Sequence, residues 1–484
     1  MNENDNKALF FKREALRRVV QAFDQGILET HAYRIPFQVI PRDSKSSVRC
    51  CIYKERAVFR ARTLAALGCS IEEDDEATSI NEYAKEALLR KDIPAVPLTV
   101  LDIACKACVK ARHIVTEACQ GCLARHCQQA CKFGAISVDH NKSKIDPDKC
   151  RNCGMCQASC PYNAITYVPV PCEQACPVDA IHKDEAGFAK INFDKCISCG
   201  HCIDACPFGA IMERSHLIDV LTCIKSTRKV CAMIAPSIVG QFDCTLGQLI
   251  TALKQAGFDK VTEVALGADI TTANEARELV ERLEKGAKFM TTSCCSAWMQ
   301  AVKKHLPALK EFVSHTKTPA GYTAEIEKHN GYMTVFIGPC VSKRAEAMED
   351  MNIDYVMTYE EIGALLEARN IRPQDCEETP LDPEISGEAR YYGVTGGVAQ
   401  AVEQALNGKR AIKKLTLNGL DKKAMLLLNA YAKGTGDFQL LEVMSCKGGC
   451  IGGPCTLKRQ ADVIKPIQEI VAQSPRVKDA FNDK

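Results

Sequence analysis

The sequence lacks any charge-free apolar run long enough to span a bilayer, which excludes direct membrane insertion through a helix of its own. It also lacks blocks of like charge. Basic and acidic residues are interspersed and the formal net charge is only +2, so no nucleic-acid or anionic-membrane partner is expected. The opening MNENDNKALFFKREALRRVV has no apolar core followed by a small-residue cleavage site, and a signal peptide is not expected there. The remainder is ordinary globular composition, 46% hydrophobic and 25% charged, in 484 residues. That length is too great for one core, so two to four domains are expected. What the chain has in excess is cysteine, 29 in all. Disulfide frameworks belong to small secreted domains; the spacings here are those of metal ligands in a reducing cytoplasm, and a cytoplasmic location is expected.

One phrase recurs four times: ACKFGAI at 130–136, SCPYNAI at 159–165, ACPVDAI at 175–181 and ACPFGAI at 205–211. Each closes a cysteine cluster. Cys150, Cys153, Cys156 and Cys160, and likewise Cys196, Cys199, Cys202 and Cys206, have the spacing of bacterial ferredoxins, with proline after the last cysteine. Such a loop wraps three thiolates around one Fe₄S₄ cube and sends the fourth to a neighbouring cube. On that rule Cys119, Cys122, Cys127 and Cys160 form one set, and Cys150, Cys153, Cys156 and Cys131 its partner. If this pair is inserted inside a second, Cys105, Cys108, Cys172 and Cys206 make a third set and Cys196, Cys199, Cys202 and Cys176 a fourth. Four [4Fe-4S] clusters result. Zinc also takes four-cysteine sites, and Cys105 with Cys108 is equally a redox pair by spacing. The nested arrangement, over roughly 100–215, resembles polyferredoxin electron-transfer subunits.

From about 229 the pattern changes to short apolar runs feeding amphipathic helices, the texture of an α/β domain, where function gathers at strand ends. KFMTTS ends in Cys294 and Cys295, YMTVFIG leads to Pro339 and Cys340, and LLEVMSCKGGCIGGPC presents Cys446 and Cys450 among glycines. Glu275, Glu278 and Arg282 share one face of a helix expected to open near Thr271 or Thr272. Read alone, that face is equally a solvated surface with Glu278 paired to Arg282.

TSCCSAW at 292–298, PCVSKRAE at 339–346 and EVMSCKGGCIGG at 442–453, with APS at 235–237, GADITTANE at 267–275 and GVTGGVAQA at 393–401, resemble the signature motifs of the [FeFe]-hydrogenase family over roughly 190–455. The resemblance implies an H-cluster, a cubane linked to a two-iron unit with carbonyl, cyanide and bridging dithiolate ligands. It implies that Cys295, Cys340, Cys446 and Cys450 hold the cubane and that Cys294 gives and takes the proton. Lys343 would face one cyanide and Pro236 with Ser237 the other, while Gly396, Gly397 and Met444 would line the two-iron unit. Glu275 and Glu278 would carry protons, with Ser314 or His315 next in line.

The resemblance further implies reversible oxidation of dihydrogen, a ferredoxin or similar small carrier, and maturation proteins for the two-iron unit; a homo-oligomer or an oxidoreductase partner subunit is compatible with it. A regulatory dihydrogen sensor and a non-catalytic iron–sulfur relay or assembly factor are the alternatives. Four departures mark a divergent, group B-like member: Gly338 where methionine is usual, Ser296 where proline is usual, a third motif ending GGPC that brings Cys455 close, and Ala320-Gly321 in place of glutamines. The expected architecture combines α+β and α/β parts. A mostly helical segment of unknown role occupies 1–95, nested two-cluster ferredoxin-like domains 96–220, a two-lobed α/β H-cluster domain 221–470, and a tail 471–484.

Overall fold

A computed structural model of the chain describes residues 6–44, 49–106 and 108–481; the remaining residues of the 1–95 segment and of the C-terminal tail lie outside the described residues. The fold is mixed α/β with a ferredoxin-like region. Two parallel sheets form its C-terminal half. The first runs Lys260–Glu263, Val230–Ile234, Met333–Ile337, Tyr355–Met357, and the second Met290–Thr291, Leu440–Met444, Lys414–Asn418. Val230–Ile234 and Leu440–Met444 are buried at every position, as central parallel strands covered on both faces must be. Their C-terminal ends deliver Pro236 and Cys446, and Met333–Ile337 delivers Cys340.

The ferredoxin-like region is nested. Leu98–Val100 pairs antiparallel with Ile211–Glu213, and the hairpin of Ile181–Lys183 with Ala189–Ile191 belongs to the same enclosing unit. Inside it, Arg112–Val115 pairs with Ile165–Val168, so the two ends of an inserted module lie side by side around its own hairpin, Ile136–Asp139 with Lys142–Ile145.

Residues of the 1–95 segment share a core with the C-terminal half. Leu16, Val19, Phe59 and Leu64 pack in one cluster with Leu221, Leu253, Ile362 and Leu365. Helix Lys7–Asp24 lies on helix Tyr359–Ala368, and Lys12, 3% exposed, binds Glu213 at 2.8 Å and also Glu360. At the other end, helix Gln460–Gln473 runs across position 470, and the Ala480 amide donates to the Ala405 carbonyl, so the tail packs back onto the α/β half.

One local expectation is corrected. The helix bearing Glu275 and Glu278 spans Ala265–Glu284 and opens six residues before Thr271. Thr271 does not cap it; its hydroxyl donates across to the Lys317 carbonyl, and Thr272 donates back to Ala268 within the helix. Buried threonines inside a helix satisfy their hydroxyls in these ways, which in sequence imitates a cap.

Candidate active site and relay sites

The fourfold repeat has a common geometry. Gly134, Asn163, Asp179 and Gly209, one in each copy, have φ between 50° and 60°. Glycine, asparagine and aspartate tolerate this left-handed conformation best. The turn brings the next amide onto the preceding sulfur: Ala135 to Cys131 at 3.3 Å, Ala164 to Cys160 at 3.4 Å, Ala180 to Cys176 at 3.2 Å and Ala210 to Cys206 at 3.5 Å. Amide donors on a sulfur stabilise its thiolate, the ligating form.

The structure gathers the sulfurs into three groups, the first two separate and the third holding members of both remaining sets. Cys119, Cys122, Cys127 and Cys160 line one small cavity, and Cys131, Cys150, Cys153 and Cys156 another. Cys105, Cys108, Cys172, Cys176, Cys196, Cys202 and Cys206 pack around a third centre, where Cys176, Cys196 and Cys199 act electrostatically on Cys202 and Cys206 acts on Cys172. A single zinc ion would draw its four sulfurs to about 3.8 Å from one another. Among the described residues the one group of three donors within 4.8 Å is Glu213, Glu360 and Cys455. Among the described residues no three cysteine sulfurs are gathered as closely as a single zinc ion would draw them.

The relay region reaches the C-terminal half through the Cys196–Cys202 loop. Ser342 donates to the Ile197 carbonyl at 3.2 Å, and Gly200 lies so close to Pro454 that a Cβ there would stand 2.5 Å from its ring. Cys199 is pushed well up by burial, with Cys196, Cys176 and Cys340 adding to the effect. One sulfur thus borders both the Cys196–Cys202 loop and the thiols of the three strand-end loops.

Those thiols, Cys295, Cys340, Cys446 and Cys450, form one mutually interacting group. Burial raises all four; neighbouring thiols add to the shift at Cys340, Cys446 and Cys450, to about 11 for Cys340 and about 12 for Cys450. Lys343, buried beside them, opposes the rise at Cys295, Cys340 and Cys450. Its own pKa is pulled down by burial but ends raised, because Glu346 lies 2.6 Å away and the thiols of Cys340 and Cys294 are near. Glu346 is held in turn by the hydroxyls of Ser296 and of Thr318, the latter at 2.6 Å. The serine that replaces the usual proline therefore bonds the carboxylate that holds Lys343.

The other departures also acquire physical content. A Cβ at Gly338 would fall 2.5 Å from the Phe336 ring, so this ring fills the place of the usual methionine side chain. Cys455 is fully buried, yet its sulfur faces Lys12 Nζ at 4.0 Å and the Glu213 and Glu360 carboxylates. The Ser237 hydroxyl bonds Tyr359 Oη at 2.7 Å, both groups being enclosed. Gly396, at φ +91°, donates its amide to Glu442 at 2.7 Å, and Ala399 donates to the same carboxylate at 2.8 Å. Glu442 thereby closes the N-terminus of helix Gly397–Ala405. Met444 is buried on the strand leading to Cys446, against Tyr392 and Val398.

Glu275 is fully buried, and its carboxyl is raised to about 8 by burial, by Glu278 and by Glu442, against the Ser293 amide and Ser314 hydroxyl that lower it. Its Oε2 has no hydrogen-bond acceptor or donor, which suits a protonated carboxyl awaiting a partner. Burial also pushes the Cys294 thiol well up, with Glu275 the next cause. Ser314 donates to Glu278 at 2.8 Å and is near enough to Glu275 to lower its carboxyl slightly. His315 is 81% exposed at the outer end, its Nδ1 3.3 Å from Glu278. Arg282 pairs with Glu278 at 2.6 Å. The sequence reading missed Tyr359, Tyr392, Glu442 and Glu346. Tyr392 bonds Thr272 at 2.8 Å, and burial, Glu275 and Cys294 raise its hydroxyl; nothing in the local sequence singles it out.

Comparison with known proteins agrees with this geometry. The family model described as iron only hydrogenase large subunit, C-terminal domain, matches residues 228–454. A 4Fe-4S binding domain matches 143–166, and an LdpA Fe-S cluster-binding domain 166–217. Iron hydrogenase 1 of Clostridium pasteurianum is 31% identical over 64% of each chain. The periplasmic [Fe] hydrogenase large subunit of Nitratidesulfovibrio vulgaris is 28% identical over 43% of this chain and 62% of its own. A cytosolic Fe-S cluster assembly factor of Danio rerio is 23% identical over 44% of this chain and 67% of its own. A solved apo [FeFe]-hydrogenase of Chlamydomonas reinhardtii aligns with a TM-score of 0.44 at 22% identity, over 56% of this chain and 92% of that one. The chain spans less than two thirds of the length of the hydrogenases it matches.

Proposed function

We propose that the chain, similar to iron-only hydrogenases over 228–454 and to a clostridial iron hydrogenase over 64% of its length, is a divergent member of that family and a cytoplasmic enzyme interconverting dihydrogen with protons and electrons at an H-cluster. The sixteen cysteines from Cys105 to Cys206 would hold four [4Fe-4S] clusters, which would supply electron transfer to a small ferredoxin-like carrier, and maturation proteins would supply the two-iron unit. When bound, the H-cluster supplies the metal chemistry that splits and forms dihydrogen. Cys295, Cys340, Cys446 and Cys450 hold it, and Lys343 places a buried cation against its anionic ligands.

The observation that carries this reading is the chain of groups behind Cys294. Burial keeps the Cys294 thiol protonated at neutral pH. Glu275, raised to about 8, is poised to exchange that proton near neutrality. The nearby Ser314 hydroxyl donates to Glu278, which Arg282 holds in place and which lies next to exposed His315. A path from a buried thiol to solvent serves proton transfer and has no part in electron relay. An assembly-type role is the second reading, favoured by the similarity to a cytosolic Fe-S cluster assembly factor.

Infrared spectroscopy of the matured holoprotein separates the two. Iron-bound carbonyl and cyanide bands are expected, and a fully loaded cubane without them would overturn the hydrogenase reading. With the bands intact, Cys294→Ser is expected to lower dihydrogen turnover by about 10²–10⁴-fold, the usual weight of a positioned acid–base group.

A further inference from the structure

The enclosing ferredoxin-like unit contains cations that the relay reading leaves unused. Arg62, on helix Ile52–Ala66, is 3% exposed, yet among the described residues no carboxylate pairs with its guanidinium. Its contacts are the Met212 sulfur at 3.7 Å and the Phe208 carbonyl at 3.5 Å. Arg49 donates to the same Phe208 carbonyl at 3.3 Å and to the Ala104 carbonyl at 3.5 Å. Phe208 lies two residues after Cys206 and Ala104 immediately precedes Cys105. Both guanidiniums are thus pinned to the segments that bring in half of the third cysteine set. From the other side, Lys183 Nζ approaches Cys105 Sγ at 3.6 Å and acts on Cys172; no acid pairs with its ammonium among the described residues.

An enclosed guanidinium without a counter-charge costs several kcal/mol. Burial first, then Arg49, hold the Arg62 pKa down at about 10, and Cys206 is the anion that opposes them. The cations near the other sets are either paired or exposed to solvent, where their charge is screened, as are Arg125 and Arg151 beside the first two sets. Lys142, beside Cys119, pairs with Glu117, and Lys304, beside Cys196, donates to the carbonyls of Phe193 and Cys196 at 2.9 and 2.7 Å.

We propose that Arg62 and Lys183 are the counter-charges of a cluster held by Cys105, Cys108, Cys172 and Cys206, and that they make it the most readily reduced of the relay clusters. This rests on the relay reading above. Reduction adds one electron to an already anionic tetrathiolate cube; no bond forms or breaks. Fixed cations in a low-dielectric surrounding favour the reduced cube over the oxidised one without a proton having to follow. Electrons therefore collect here. A cavity of about 620 Å³, lined by Lys7, Lys54, Glu55 and Lys106 together with Cys105, opens beside this set.

The test is a potentiometric titration of the full-length holoprotein followed by electron paramagnetic resonance, with iron and sulfide counted first. Arg62→Gln and Lys183→Gln are each expected to lower the reduced-to-oxidised ratio of one cluster about tenfold at fixed ambient potential, about 59 mV for a one-electron couple, leaving the others in place. Arg62→Lys should restore most of the shift. A full complement of relay clusters with unmoved midpoints overturns the charge assignment while the relay reading stands. A wild-type protein with only three relay clusters overturns the ligand assignment itself. Should Arg62→Gln fail to fold, Lys183→Gln, on a partly exposed hairpin, reads the same quantity.

Discussion

The two ferredoxin-like units share a loop geometry but sit in opposite surroundings. The inserted unit is held by a small core of Cys127, Ile136, Cys156 and Ile165, and its ion pairs, such as Lys142 with Glu117, are exposed. Backbone amides lower Cys119 there. In the enclosing unit, burial pushes Cys172 up to about 11 and Cys202 well beyond its ordinary value. Its loops are tied to the α/β half by Ser342, and by Lys304 and His305, which bond the carbonyls of Phe193, Cys196 and Lys195. The same chemistry thus serves as an appendage in one place and as part of the body in the other. A buried thiol that has no metal must stay protonated, whereas a bound one surrenders its proton, so the enclosing unit depends more heavily on its cofactor.

That contrast can be broken in three ways. The largest effect is expected from Cys199→Ala against Cys127→Ala. The first removes the sulfur bordering both the Cys196–Cys202 loop and the thiols of the strand-end loops, and should lower dye-linked dihydrogen oxidation and the thermal midpoint together. The second should reduce the iron content while leaving the thermal midpoint of the α/β half close to wild type. Equal losses in calorimetry would erase the distinction. Next, because Arg112–Val115 and Ile165–Val168 lie side by side, replacing 112–168 with a short glycine–serine turn should leave a folded protein with about eight fewer irons, two cubes' worth; aggregation of that variant would show the inserted unit to be integral.

The smallest effect concerns pH. Glu275 keeps a proton in the folded state up to about 8, against an ordinary 4.5. Between those values the folded chain binds more protons than the unfolded one, so this group makes stability fall as pH rises through that window. Glu275→Gln should flatten that slope in denaturant unfolding, and an unchanged slope would place the titration elsewhere.

Much of this was legible in the sequence because thiolate geometry is written in local spacing. The four repeats announced themselves, and the grouping of Cys119, Cys122 and Cys127 with Cys160 follows from the crossed pattern. The reason for the repeated glycine, asparagine or aspartate, an amide turned onto each sulfur, needed the backbone angles. The acids at Glu275 and Glu278 were visible as one helix face, but the choice of Ser314 over His315 was not, since adjacent residues point in different directions and only burial tells them apart. Lys12 with Glu213 and Glu360 was invisible for a different reason: the partners come from distant parts of the chain, and no periodicity links them. Thr271 misled because a buried threonine and a capping one read alike.

Nesting also sets a timetable for biosynthesis. A chain made from its N-terminus releases Cys105 and Cys108 more than sixty residues ahead of Cys172, so on the proposed pairing these two thiols must wait, uncompleted, while the inserted unit receives all eight of its cysteines within 119–160. The cysteines of the inserted unit are thus complete first. The third and fourth sets close once Cys206 has emerged, the catalytic thiols only after Cys450, and helix Lys7–Asp24, though made first, finds its seat on Tyr359–Ala368 near the end. The N-terminal helix is therefore the first element made and among the last to find its partner, so it must stay soluble through most of synthesis, with its apolar face uncovered.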